Sequence, residues 1–280
     1  MDGKWDRRTF LRAAAGSVAA LGLGPVTALG RTADPRTAPA ADGLPPRVVG
    51  LRTLGGDFRF DPVGLAVRPG DDVTWLNMGD FHTTTAFHPA NADLISGEMP
   101  TRIPDGAEPW HSGMLGLTAG TRFDYTFEVP GLYDYFCQPH YGFGMVGRVI
   151  AVPEGGQAPA APPAAELVEA AREEMPAVET VVGPRGRTFE WAARINGLLL
   201  MRTDDAGTGP AAEALVEGIR QDRALQEVLG DAGVRDGFPA KLDRLVDGLA
   251  ADRGYEELVS RADAVKDALA TARGRSTATA

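Results

Sequence analysis

The sequence predicts two kinds of structure in series. An all-β sandwich with Greek-key connections is expected over residues 47–152, and an all-α helical bundle over 166–273. Three observations carry this reading. Between 47 and 152, short runs rich in Val, Thr, Trp, Tyr and Phe are divided by Gly/Pro turns, the pattern of an antiparallel sandwich. Residues 153–165 are rich in Gly, Pro and Ala and read as a linker. Beyond them β-branched runs nearly vanish, and Ala, Leu, Glu and Arg dominate.

In chain order, Arg47 to Leu54 alternates loosely and reads as a strand, closed by the turn Gly55-Gly56-Asp57. Phe58 to Phe60 and Gly64 to Val67 are short strands on either side of Asp61-Pro62. Pro69-Gly70-Asp71 is a turn signal. Asp72 to Asn77 follows as a β-rich run with Val73, Trp75 and Asn77 on one face. The β-branched run Thr83-Thr84-Thr85 reads as extended. Residues 86–118 form a long connection, the kind of loop that often carries function. Thr121 to Val129, Leu132 to Cys137 and Val146 to Val152 complete the strands, with Pro130-Gly131 turning between the first two.

Helices are predicted at Ala165–Glu174, Arg187–Arg202, Pro210–Leu229, Pro239–Ala251 and Tyr255–Ala272. Pro210 and Pro239 fall in first turns, where a missing N–H costs nothing. Leu242, Leu245 and Leu249, and then Leu258, Ala262, Val265 and Leu269, recur at the spacing of one buried helical face. This region holds no Cys and no His, which excludes haem c, zinc and iron–sulfur sites from it.

The N-terminus reads as an export signal over residues 1–30. Asp6-Arg7-Arg8-Thr9-Phe10-Leu11-Arg12 resembles a twin-arginine motif, and an apolar stretch runs from Ala13 to Leu29, interrupted by Gly22, Gly24 and Pro25. Cleavage is expected after Ala28 or Gly30, the alternative being an uncleaved anchor. Residues 31–46, rich in Ala, Pro, Thr and Gly, read as a flexible tether. The location that follows is periplasmic, extracellular or associated with the cell envelope.

With 38 acidic and 28 basic side chains the net charge is −10. Both halves are mildly acidic, so the basic stripe that nucleic acid requires is missing. A single cysteine rules out an internal disulfide.

That cysteine, Cys137, opens the most informative stretch, Cys137-Gln138-Pro139-His140-Tyr141-Gly142-Phe143-Gly144-Met145. A thiolate, an imidazole and a thioether stand in one Gly-rich loop, and His82 is placed to supply a second imidazole. A His₂Cys set with a weak axial Met is the ligand signature of a blue-copper centre. The expected ligands are therefore His82, Cys137, His140 and Met145, holding one copper per chain. Thr83, Asn77 and Pro139 are the residues expected around them. Pro139 has no N–H to offer the sulfur.

The runs Tyr133-Asp134-Tyr135-Phe136-Cys137-Gln138-Pro139-His140 and Gly144-Met145-Val146-Gly147-Arg148-Val149 resemble the ligand loop of plastocyanins. The C-x-x-H-x-x-x-x-M spacing is similar to that of plastocyanin and pseudoazurin-like cupredoxins, including halocyanin-type proteins. The resemblance covers residues 45–152 and implies a Greek-key cupredoxin sandwich. It also implies a one-electron carrier with redox-protein partners of the cell envelope. No small-molecule substrate, nucleic acid or enzymatic activity is expected, and membrane contact only through an uncleaved signal. The family places Asn after the first ligand histidine, where this chain has Thr83. The resemblance implies that His140 lies near the surface as the electron exit, and Tyr141 and Phe143 are read as an apolar rim.

Two other readings compete. One is copper storage, delivery or sensing, with the helical domain as responder. The other is an enzyme in which a second copper is bound by His88 and His111. His88 lies six residues after His82, roughly 20 Å along an extended strand, so a hydrogen-bonded surface role is expected for it. Met78, Met99 and Met114 are expected to pack rather than ligate.

Overall fold

The structure is a computed structural model that describes residues 39–40, 42–95, 98–116, 120–203, 207–235 and 237–275. The export signal lies outside the described residues, as does most of the tether. No described helix is long and apolar enough to cross a membrane.

Two four-stranded sheets face each other. The first has the order β2-β1-β4-β6 and the second β3-β8-β7-β5. The strands are β1 (Val48–Leu54), β2 (Asp57–Asp61), β3 (Gly64–Val67), β4 (Asp72–Asn77), β5 (Thr85–Ala86), β6 (Arg122–Thr126), β7 (Gly131–Phe136) and β8 (Val146–Ala151). Alternating side chains meet between the sheets. Leu51, Phe60, Val73, Trp75, Phe127, Tyr133, Tyr135 and Val149 are all at most 1% exposed there. Trp75 meets Tyr135 edge to face at 5.2 Å and lies 5.7 Å from Trp110. Such aromatic pairs add to the area they bury.

The sheets are mixed rather than purely antiparallel as the sequence suggests. β1 runs parallel to β4, and β3 parallel to β8. The cause is the order in which the chain changes sheet. After the β1–β2 hairpin it crosses to lay down β3, then returns to the free side of β1 as β4, which now runs in the direction of β1. The Thr83–Thr85 run also departs from its expected strand. Only Thr85 and Ala86 pair, with Phe136 and Tyr135 of β7. The backbone N–H of Thr84 instead donates to the Ser112 hydroxyl at 2.9 Å, and the Thr84 hydroxyl accepts from Trp110 Nε1 at 3.1 Å.

The helical region contains α1 (Glu169–Glu174), α2 (Val178–Val182), α3 (Gly186–Thr203), α4 (Gly209–Gln221), α5 (Arg223–Arg235), α6 (Phe238–Ala250) and α7 (Tyr255–Arg275). The helix expected over 210–229 is broken at Asp222. Its extended backbone ends α4, and its carboxylate accepts the Leu225 N–H at 3.0 Å to start α5. Asp is a favoured residue at that position. The same carboxylate takes Trp191 Nε1 at 2.7 Å and Arg187 Nε at 2.6 Å. Helix α2 was not expected, because five residues carry too little periodicity to be read.

The described residues of the sandwich and of the helical region fall in one compact unit. Composition separates sandwich from helices at residues 153–165, yet the two regions share a core. Val178, Val181 and Phe189 pack against Leu132 and Ile150, and Ala193 joins the core of the sandwich. Gly197 lets α3 approach the chain before β1 so closely that a Cβ there would lie 2.1 Å from the Pro46 carbonyl oxygen. Buried polar groups complete the contact. Asn196 Nδ2 donates to the carbonyls of Val48 (3.2 Å) and Asp61 (2.7 Å). Lys266 Nζ donates to Asp61 Oδ2 (2.6 Å) and Asn196 Oδ1 (2.8 Å).

Candidate metal centre

Cys137 follows β7 and His82 precedes β5, two antiparallel neighbours in one sheet, so the topology brings both to the same end of it. After Cys137 the loop turns through a short 3₁₀ segment, Gln138–Phe143. That segment carries His140 back toward the sulfur. Gly144 closes the turn with φ 86°, a left-handed conformation open to glycine at little cost. The Cys137 N–H donates to the Met145 carbonyl at 3.0 Å, pinning the two ends of the loop together.

Three donor atoms converge. Cys137 Sγ lies 3.4 Å from His140 Nδ1 and 3.6 Å from His82 Nδ1. The ligand atoms of this trio all lie within 4.8 Å of one another. Metal–sulfur and metal–nitrogen bonds of about 2.3 and 2.0 Å would give sulfur–nitrogen edges of about 3.5–3.7 Å, so the trio fits one ion. All three residues are buried, with His82 and Cys137 fully covered and His140 7% exposed. Met145 is fully buried in the same core cluster as Cys137.

The donor groups are held by fixed partners. Thr53 Oγ1 donates to Asp80 Oδ2 at 3.0 Å and lies 3.2 Å from His82 Nε2. The Thr53 proton is thus committed to the carboxylate, so His82 Nε2–H must donate to Thr53. This leaves the Nδ1 lone pair facing the sulfur, an ordering of ring tautomer by an outer partner. His140 is held by a ring, since Phe58 of β2 stacks on it with centroids 3.8 Å apart and planes 10° apart. The sulfur accepts the Thr83 N–H at 3.4 Å, and the His140 N–H donates to the Cys137 carbonyl at 3.1 Å. The Thr83 hydroxyl accepts the Gln138 N–H at 2.8 Å, bracing the start of the loop. Asn77 works further out. Its Nδ2 donates to the Asp80 carbonyl at 3.1 Å and its Oδ1 accepts the Gly79 N–H at 3.1 Å, which shapes the turn that delivers His82.

Burial sets the protonation of the metal-free site. It pushes the Cys137 thiol up to about 12, against the Thr83 and His140 N–H groups that favour the thiolate. It lowers His82 to about 4 despite Asp80 nearby. His140 also falls to about 4, through burial and then the neighbouring His82. Both imidazoles are therefore neutral at pH 7 with free lone pairs, and metal uptake must displace the thiol proton.

The expected rim is only partly at the surface. Phe143 is 66% exposed. Tyr141 is not on the rim. It is buried against Phe87 and Phe136, and its hydroxyl accepts the Val168 N–H at 3.2 Å. The helical region covers this side, because a Cβ on Gly144 would lie 2.8 Å from the Ala170 carbonyl oxygen of α1. Pro139 sits in the first turn of the 3₁₀ segment, where no N–H is needed.

His88 and His111 do not join the trio. His88 Nδ1 accepts the Ala90 N–H at 3.1 Å and caps the 3₁₀ turn Pro89–Leu94. His111 Nδ1 lies 2.9 Å from Thr85 Oγ1. Met99 is buried with Phe87 and Phe136, Met78 packs against the helical core, and Met114 is 53% exposed. Sequence reasoning missed Thr53, Phe58 and Asp80. Only Asp80, an acid two residues before a candidate ligand, left a readable sign. Thr53 and Phe58 reach the site through the β1–β2 hairpin, and nothing local marks them.

Comparison with known proteins points to copper. The family model for copper binding proteins of the plastocyanin/azurin family matches residues 48–152. Chloroplastic plastocyanin of Tetradesmus obliquus is 34% identical over 108 residues, which cover 36% of this chain and 64% of that protein. Plastocyanin of Nostoc punctiforme is 33% identical over 104 residues, covering 36% of this chain and 70% of the relative. Among solved structures, pseudoazurin from Methylobacterium extorquens AM1 matches at 28% identity with a TM-score of 0.28, over 37% of this chain and 72% of that one. Through residues 48–152 the chain belongs to the plastocyanin/azurin family of copper-binding proteins, and its cofactor is one copper ion.

Proposed function

We propose that this protein is a one-electron carrier with a mononuclear type 1 copper centre. In this reading His82, Cys137 and His140 would hold the copper, and Met145 would supply a weaker fourth donor. The observation that carries it is the closed, buried His-Cys-His trio, whose members are each fixed by a partner outside the trio. Bound copper supplies a couple between Cu(I) and Cu(II). The chain's part is to keep the donors still while the charge changes. Thr53 orders one imidazole, Phe58 holds the other, and Thr83 fixes the sulfur and the loop. No substrate is transformed, and storage or delivery would call for a more open donor set.

Phe143 and the edge of His140 form the exit, and brief encounters with redox proteins of the cell envelope suit a small apolar patch. Export through the twin-arginine route fits the sequence of residues 1–30. A sandwich and a helical domain on one chain remain the organisation we favour, with the helices shielding one side of the ligand loop.

The test is the absorption and electron paramagnetic resonance of copper-loaded protein, titrated to count copper per chain. One copper with an intense blue band and a small hyperfine splitting is expected. The band should vanish in Cys137→Ser. Persistence of the band in that variant, or more than one copper per chain, would overturn the assignment.

A further inference from the structure

A chain of hydroxyl groups links the thiolate ligand to the surface. The exposed His111 places Nδ1 2.9 Å from Thr85 Oγ1. Thr85 Oγ1 lies 3.2 Å from Thr83 Oγ1. Thr83 Oγ1 accepts the Gln138 N–H at 2.8 Å, and the Thr83 backbone N–H donates to the Cys137 sulfur at 3.4 Å, which places this hydroxyl beside the sulfur. Both threonines are fully buried, so water does not complete their bonds. Each hydroxyl has one proton to give, and that makes the chain directional.

Proton counting leaves two arrangements. When His111 Nδ1 carries a proton, it donates to Thr85, and Thr85 donates to Thr83. The two Thr83 lone pairs are then filled by Thr85 and Gln138, and the Thr83 proton is free for the sulfur. When Nδ1 is a bare acceptor, Thr85 turns to His111 and Thr83 turns to Thr85. The sulfur then loses the hydroxyl and keeps only backbone N–H donors. A protonated imidazole has no acceptor nitrogen, so acid enforces the first arrangement, and the neutral ring opens the second.

We propose that His111, acting through Thr85 and Thr83, is a positioning residue that sets how many hydrogen bonds reach the Cys137 thiolate and so makes the reduction potential respond to pH. This rests on the copper reading above. An added hydrogen bond draws electron density from the sulfur and favours the reduced ion, so the potential rises as His111 is protonated.

The surroundings of His111 supply no partner that fixes its charge. The elements packed on it bring Thr85, Trp110 and Ser112, none of them titratable in this range. Tyr125, against Trp110, is held on the Glu108 carbonyl. Among the described residues no charged side chain pairs with His111, and partial burial alone lowers its pKa. Across the sulfur lie Asp80, His82 and His140. They give a pH response of their own, which a variant must separate.

The experiment compares the potential and the blue band against pH in the wild type, Thr85→Val and His111→Ala. The wild-type potential should rise as pH falls through the His111 titration, with a shift of the band. Both variants should stay blue and lose that component. Profiles that superpose on the wild type would overturn the proposal, whereas a wild type with no blue band would instead sink the copper reading. Nitrogen NMR of the His111 ring in metal-free protein is a second readout, free of copper. Nδ1 should be protonated in acid and accept above the titration, and a ring that keeps Nδ1–H at every pH would also overturn it.

Discussion

Phe58 lies flat on His140, with ring centroids 3.8 Å apart and planes 10° apart. It arrives from β2, a strand remote in sequence from the ligand loop. Phe143 joins it at 5.5 Å. His140 is therefore clamped by a ring on one face, and its swing out of the site is opposed by an aromatic contact of about 0.5–1.5 kcal/mol. Phe58→Ala should weaken copper affinity about two- to tenfold, the same energy expressed as an equilibrium. A competition titration with a chelator measures this. Unchanged affinity would show that the loop alone orients His140.

The metal-free protein should lose stability in acid in two stages. His82 and His140 fall in the folded state from an ordinary 6.5 to about 4. Between those values the unfolded chain binds more protons, so stability is full above about pH 6.5 and declines toward pH 4. Asp61, Glu190 and Asp263 are held below the ordinary carboxylate range. Burial works against this, and Lys266, Arg52, Arg47 and Arg194 outweigh it. Their stabilisation is present above their unfolded values and is lost as pH falls below about 4. The urea midpoint followed from pH 8 to pH 3 checks both stages. His140→Gln should shrink the first to the part that His82 carries and leave the second. A midpoint constant from pH 7 to 4.5 in the wild type would mean that the imidazoles are not held neutral.

The division between readable and unreadable follows the range of each signal. Strand runs and the Cys137–Met145 spacing are local, so most of the expected strands are present and the donor atoms of His82, Cys137 and His140 lie together. The mixed sheets are set by the order in which strands change sheet, and no strand's own composition records that. Tyr141 looked like a rim residue because the loop was read alone. The covering residues, Leu167 and Ala171, lie past the linker. Asp222 was passed over as one more polar residue on a helix, although Asp is a residue that can begin one.

Asp134 should be the costliest polar residue of the sandwich to neutralise. It is fully buried on β7, with Arg148 Nε at 2.7 Å and Arg102 Nε at 2.9 Å. Each arginine also reaches across to the chain beyond β8. Arg102 donates to the Pro163 carbonyl at 2.8 Å and Arg148 to the Pro176 carbonyl at 2.6 Å. Asp134→Asn would leave the buried Arg148 guanidinium without a counter-charge and Arg102 with only the half-exposed Glu166 at 3.4 Å, at a cost of about 3–5 kcal/mol. Equilibrium denaturation of the copper-loaded and metal-free forms should both register it. A loss under about 1 kcal/mol would mean that the two carbonyls and Glu166 suffice for the arginines.

Met145→Leu tests the axial position without disturbing the loop, because the Met145 carbonyl, not its side chain, takes the Cys137 N–H. Leu nearly conserves the volume of a fully buried residue, a swap that costs under about 1.5 kcal/mol. The blue band should remain, and the reduction potential should rise with loss of a weak donor to the oxidised ion. An unchanged potential would place the Met145 sulfur outside the copper shell.

Gly144 links the helical region to the metal loop. Its φ of 86° would cost an alanine about 1–2 kcal/mol. The added methyl would also meet the Ala170 carbonyl at 2.8 Å and Glu174 Cγ at 3.0 Å. The backbone of α1 cannot yield as a side-chain tip can, so either the loop or the helix must move. Gly144→Ala should therefore lower the unfolding midpoint and also change the blue spectrum, because Met145 and the turn that carries His140 shift with it. A destabilised protein with an unaltered spectrum would show that α1 gives way and that the ligand loop is rigid without its cover.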